Sequence, residues 1–293
     1  MSNNHKSAGF LLRLATALTV SGIGLIFLMV VAFALPVFTS NYGSDDIELF
    51  SWHWNPVRNQ FGILPMIAGS VLLSVSAVAL SWPLALGLCS WLLNSSAPYS
   101  SVSRRLLFRP VSGLVRFMTA VPTVVYGFVA IFLMVPLIRD VMGGGSGLNW
   151  LSAALVLSLL LLPTMVLVME AGLRPRMEQL HLTTAALGFN RLQSLTYFVL
   201  PQGRRCLLTA LVLGFGRGVG DTLIALMLSG NWPQLPSLPG DSLRTLTAHM
   251  ALVTANEVGG MAYNSLFAAG AILLLINGSV SLALRRLERG ADQ

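Results

Sequence analysis

The chain has 293 residues, 55% hydrophobic and only 10% charged, with a net charge of +7 and a mean hydropathy of +0.74. A soluble domain carries about a quarter charged residues, so this composition excludes a soluble globular protein and points to a polytopic membrane protein. Two cysteines, Cys89 and Cys206, imply no disulfide framework. His5, His53, His181 and His249 lack metal-ligand spacing, so neither a metal nor any other cofactor is expected.

A bilayer core needs about 20 apolar residues per helix. Runs of that kind occupy residues 14–38, 63–93, 117–138, 148–169, 206–231 and 265–284. The first is too long for a signal-peptide core and has no small-residue cleavage site before Leu35-Pro36, so it reads as a retained span. The expectation is an all-α protein with six transmembrane helices. Its parts are a tail (1–13), a first span (14–39), an external loop (40–62), a domain of five further spans (63–285) and a second tail (286–293).

Basic residues near span ends set orientation. With six spans, fourteen basic residues fall on the side of the termini: Lys6, Arg13, the four arginines of 104–116, the five of 174–205, and Arg285, Arg286 and Arg289. Arg58, Arg139 and Arg244 fall on the other. The termini are therefore expected in the cytoplasm, and the pI near 10.2 is a topology signal, not a mark of nucleic-acid binding.

The external loop 40–62 carries Asp45, Asp46 and Glu48 with Trp52, Trp54 and Pro56, a polar stretch with aromatic interface anchors. Pro83, Pro136 and Pro163 fall inside apolar runs, and Pro65 and Pro122 at their edges, each inviting a bend. The loop 171–203 is long among short connectors. Its pattern predicts a helical piece to residue 187, a reversal at Gly188, a second piece over 191–199 and a break at Pro201. The result is a two-helix knob, or else an amphipathic connector on the lipid surface.

The span 206–231 contains "GFGRGVGDTLIALMLSGN". An arginine inside a span is expensive and by default faces a cavity or a partner. The planar fork of Arg217 suits oxyanions and cannot be switched off by deprotonation. Gly214, Gly216, Gly218 and Gly220 strip bulk from the helix, permit close packing and weaken it enough for a local break. Asp221, four residues after Arg217, lies on nearly the same face. It either neutralises the arginine or accepts a hydrogen bond from a protonated anion such as phosphate, which sulfate cannot donate. Beyond it, the external segment 231–264 opens with "NWPQLPSLPGDS" and continues with "RTLTAHMALVTANE", too short to span and read as a re-entrant or surface helix.

No Walker A loop exists, because the single lysine, Lys6, lies in the N-terminal tail. Any nucleotide energy must enter through a partner. At this point the knob resembles the coupling motif of type I ABC-transporter permeases, E-A-A, three residues, G, nine residues, I-x-L-P. Gly188 stands at the glycine, with Phe198, Leu200 and Pro201 in the tail; Leu182, Thr183 and Thr184 replace the E-A-A head. The segments "FGILPMIAGS", "PTVVYGF", "GDTLIALMLSGN" and "LRTLTAHM" are similar to the permeases of the phosphate-specific transport system, over residues 60 to 285.

The resemblance implies a type I (MetI-like) permease fold and a multi-pass inner-membrane subunit that translocates inorganic phosphate without catalysing a covalent reaction. It implies four kinds of contact: a second homologous permease, an ATP-binding cassette ATPase dimer, an extracytoplasmic phosphate-binding protein and lipid. Thr183, Thr184, Gly188, Phe198, Leu200 and Pro201 would face the ATPase, and Arg217, Asp221 and Thr222 would line the substrate pathway. Two alternatives stay open: another oxyanion (phosphonate, sulfate, molybdate), or a secondary transporter or channel without an ATPase. Against the second, no convincing internal repeat occurs, and a channel has no use for the knob.

Overall fold

The computed structural model describes residues 2–39, 50–58, 60–95, 102–256 and 260–289. Asp45, Asp46 and Glu48 lie outside them. Helix α1 (Ser2–Thr39) is set apart and packs along α11 (Gly260–Arg289), where Phe33 stacks on Phe267 at 4.9 Å. A short antiparallel hairpin, β1 (Trp54–Asn55) with β2 (Gln60–Phe61), then leads into α2 (Leu64–Ser95). Pro65 sits in the first turn of α2, where its missing N–H costs nothing.

The next span begins later than the apolar run suggests. Helix α3 (Val102–Ala120) takes in Phe117 and presents Arg109 and Arg116 to the exterior. Pro122 stops it, with φ −60° and ψ 141°, and the spanning helix α4 (Thr123–Val141) starts afresh.

Asn149 caps α5 (Trp150–Ala186), its side chain accepting from the Ser152 N–H at 2.8 Å. At 37 residues, α5 is about 55 Å long, against a bilayer core of about 30 Å. The helix therefore runs on past its apolar stretch, and the first half of the 171–203 loop continues the span without a break. Its centre is buried around Leu157, Leu161, Met165 and Met169, packed against α2 and α8 (Arg204–Gly220).

Among the described residues five helices are long and apolar enough to cross a membrane: Leu12–Leu35, Leu64–Ser95, Thr123–Val141, Trp150–Ala186 and Ala262–Leu287. The remaining crossing, fifth in chain order, differs from the expected continuous helix. Helix α8 is preceded by a bent helical stretch, at 71°, and ends at Gly220, where α9 (Leu223–Leu228) takes over. The segment after α9 folds as a loop followed by α10 (Leu246–Asn256), an 11-residue helix with Leu246, Ala248, His249 and Val253 buried against its neighbours. The protein is thus all-α apart from the two-residue strands.

Candidate functional site

The interruption after α8 is built from side chains as well as backbone. Asp221 leaves the helix with φ −74° and ψ 122°, and its Oδ1 accepts the Ile224 N–H at 2.9 Å, which caps α9. Its carbonyl accepts a hydrogen bond from Thr247 Oγ1 of α10 at 2.9 Å. Thr222 opens α9 through its backbone, its carbonyl accepting from Leu226, while its side chain makes no capping bond. Gly230 (φ +76°) and Asn231 (φ +55°) then reverse the chain, and a Cβ at Gly230 would overlap Ser242 and Leu148.

Arg217 is half-buried on α8, and its Nη1 donates to the Thr164 hydroxyl of α5. Asp221 is turned to a different partner. Among the described residues the single ion pair is Glu170 with Arg174 on α5; Arg217 donates to a neutral hydroxyl, and Asp221, bonded elsewhere, still lies within reach of its charge. Thr164 could not be singled out in advance, since a threonine in an apolar helix is ordinary.

Three of the four glycines let α8 sit deep among its neighbours. A Cβ at Gly214 would come within 3.0 Å of Met165 Sδ, at Gly216 within 2.8 Å of Val280 Cγ1, and at Gly218 within 3.2 Å of Ser74 Cβ. These contacts face α5, α11 and α2 respectively. Gly220, at the end of the helix, faces open space.

The knob lies at the far end of α5. Gly188 reverses the chain at φ +82°, its N–H donating to the Ala185 carbonyl. Asn190 opens the return piece with a reciprocal capping box to Gln193. The piece runs through α6 (Arg191–Ser194), a π-helical turn over Leu195–Val199 and α7 (Leu200–Gln202). Pro201 is part of α7 and does not break it. The bend falls two residues later at Gly203, where a Cβ would overlap Leu173.

Thr184 is buried, and its hydroxyl bonds the Leu180 carbonyl at 2.9 Å while accepting from Ser194 Oγ at 2.8 Å, which joins the two arms. Thr183 is exposed. Phe198 meets Phe189 edge-on at 5.1 Å, and Leu200 packs against the core. Arg191 reaches back to the end of α2 and donates to the Leu93 carbonyl at 2.9 Å. Burial, then the Arg174 charge, push its guanidinium below the usual arginine range. Leu182, Leu187, Leu192 and Tyr197 remain more than half exposed on the knob, an apolar surface that no other described residue covers. No three His, Cys, Asp or Glu side chains converge among the described residues.

Residues 95–293 match the family described as "Binding-protein-dependent transport system inner membrane component". The chain belongs to that family. It is 29% identical over 249 residues to a probable ABC transporter permease protein, YqgH, of Bacillus subtilis, covering 84% of this chain and 78% of that one. It is 27% identical over 266 residues to the phosphate transport system permease protein PstC of Xylella fastidiosa, covering 82% and 79%. An inward-facing MetNI methionine ABC transporter shares the fold at TM-score 0.60 and 15% identity, over 80% of this chain and 99% of that one. The protein is accordingly a multi-pass inner-membrane permease subunit of an ABC importer, a transport component and not an enzyme. Its family works with an ATPase and a substrate-binding protein.

Proposed function

We propose that this permease carries inorganic phosphate, and that Arg217 is on the route. One observation carries the reading. A permanently charged, half-buried guanidinium is held by the Thr164 hydroxyl at a helix interruption, and among the described residues it makes no ion pair. Such a group offers a fork of donors to an oxyanion. The relatives named as phosphate permeases support phosphate among oxyanions. Asp221 and Thr222 stand beside the route at the break, with Gly214, Gly216, Gly218 and Gly220 allowing α8 its close approach.

The knob around Thr183, Thr184, Gly188, Phe198, Leu200 and Pro201 is the seat of an ATP-binding cassette ATPase dimer. A second, homologous permease completes the pathway, and an extracytoplasmic phosphate-binding protein delivers the ion. The charge asymmetry supports cytoplasmic termini.

Arg217→Gln tests the reading. It removes the charge and keeps length, so membrane level and subunit assembly should persist. Phosphate uptake should fall about tenfold to a hundredfold, the worth of a charge-assisted hydrogen bond or two. Arg217→Lys should restore only part of it. Near-normal uptake in Arg217→Gln would remove Arg217 from the route.

A further inference from the structure

Arg109 and Arg116 enter the fold only as exposed charges of α3, yet they share a built cleft. Positions 109, 112, 113 and 116 recur at helical spacing, so Arg109, Ser112, Gly113 and Arg116 form one face. That face opens onto α5 at Glu170 and Arg174, and the cleft between the helices holds about 590 Å³, within the range of small-molecule sites. The cleft is open at Gly113, where a Cβ would meet nothing within 4 Å.

The charges in this cleft do not cancel. Arg174 is satisfied by Glu170 in an i, i+4 pair. Arg109 and Arg116 have no ion-pair or side-chain hydrogen-bond partner among the described residues, which leaves two guanidinium forks facing the same space. Fork-shaped donors match the oxygens of a phosphate group, two at a time. Position also counts. The cleft lies on the α5 stripe that carries Thr164, and it begins at Leu167, about one turn nearer the knob.

We propose that the α3–α5 cleft binds a phosphate group on the knob side of the protein, held by Arg109 and Arg116 with Arg174 and Glu170 as a fixed wall. The group can come from inorganic phosphate or from an anionic phospholipid, whose headgroup basic pockets at membrane level also take. The site stands on the arginine geometry alone and goes beyond the transported substrate.

The test uses the permease–ATPase complex in nanodiscs without the binding protein and with Arg217→Gln in every sample, comparing the otherwise wild-type protein with the Arg109→Gln, Arg116→Gln double variant. In discs of phosphatidylcholine alone, retention of radiolabelled inorganic phosphate is measured. In discs containing phosphatidylglycerol, the anionic lipid kept through purification is counted by mass spectrometry. Retention of one probe should fall about tenfold or more in the double variant. Loss of inorganic phosphate identifies a free-anion site, and loss of phosphatidylglycerol a headgroup site. Both side chains are exposed, so assembly should survive; if it does not, Arg116→Gln alone takes the same comparison. Equal retention of both probes by wild type and variant overturns the site. No transport is measured, so that result would leave the Arg217 reading untouched.

Discussion

Asp221 serves the break with two sets of atoms, its carboxylate closing α9 and its carbonyl holding Thr247 of α10. Asparagine keeps an oxygen for the Ile224 N–H and loses the charge, which separates capping from ion chemistry. Asp221→Asn should leave stability nearly unchanged and weaken the preference for phosphate over sulfate, measured as competition during uptake. Asp221→Ala should in addition destabilise the protein by about 1 kcal/mol, the usual worth of a cap. Unaltered sulfate competition in Asp221→Asn would confine the residue to capping.

His249 gives a pH signature. Ser265 Oγ donates to the Ala262 carbonyl at 2.6 Å, so His249 Nε2 must donate to Ser265, leaving Nδ1 buried beside Trp54 without a partner among the described residues. Burial first, and the Arg244 charge second, hold this ring down to about 3. A depressed histidine stays neutral when folded and charges on unfolding. Its contribution is complete above about pH 6.5 and is lost as pH falls toward 3, by up to about 1.4 kcal/mol per unit. The thermal midpoint of the purified complex should therefore drop between pH 7 and 5 more steeply in wild type than in His249→Gln. Parallel pH profiles would contradict this.

At the scale of elements, the knob depends on one backbone conformation. Nothing lies within 4 Å of a Cβ at Gly188, so a side chain there meets no clash, and the cost arises from φ +82° alone. Gly188→Val should thus cost about 1–2 kcal/mol locally, leave insertion intact and lower uptake together with transporter-stimulated ATP hydrolysis. Normal uptake by a well-expressed Gly188→Val protein would reduce the knob to a connector.

The elements also mark what a one-dimensional pattern can carry. Spans one, two and six were legible because a single helix covers each of those apolar runs, although α1 starts well before its run, at Ser2. The extension of α5 was not, because polarity changes after Met169 while hydrogen bonding does not. Nor was the break after Gly220, where the apolar run continues and only the use of Asp221 as a cap reveals the interruption. Pro201 was expected to end a helix that Gly203 ends, since a proline in a first turn costs no hydrogen bond. Thr164, Ser194 and the cleft arginines became visible only when the fold paired α5 with α8, with α6 and with α3.

At the scale of the whole molecule, the interruption, the knob and α10 are linked by hydrogen bonds and packing. Thr247 of α10 holds the break, α8 packs on α5, α5 runs unbroken into the knob, and Arg191 ties the knob back to the end of α2. The knob is therefore connected to Thr164, the partner of Arg217, through one unbroken helix. The measurement that bears most directly on this reading is ATP-driven uptake by the complete transporter in proteoliposomes, with the binding protein supplied on the outside. Phosphate should accumulate inside only with ATP, while sulfate and molybdate at equal concentration should compete poorly. Uptake of sulfate or molybdate in place of phosphate, or phosphate entry that needs no ATP, would contradict it.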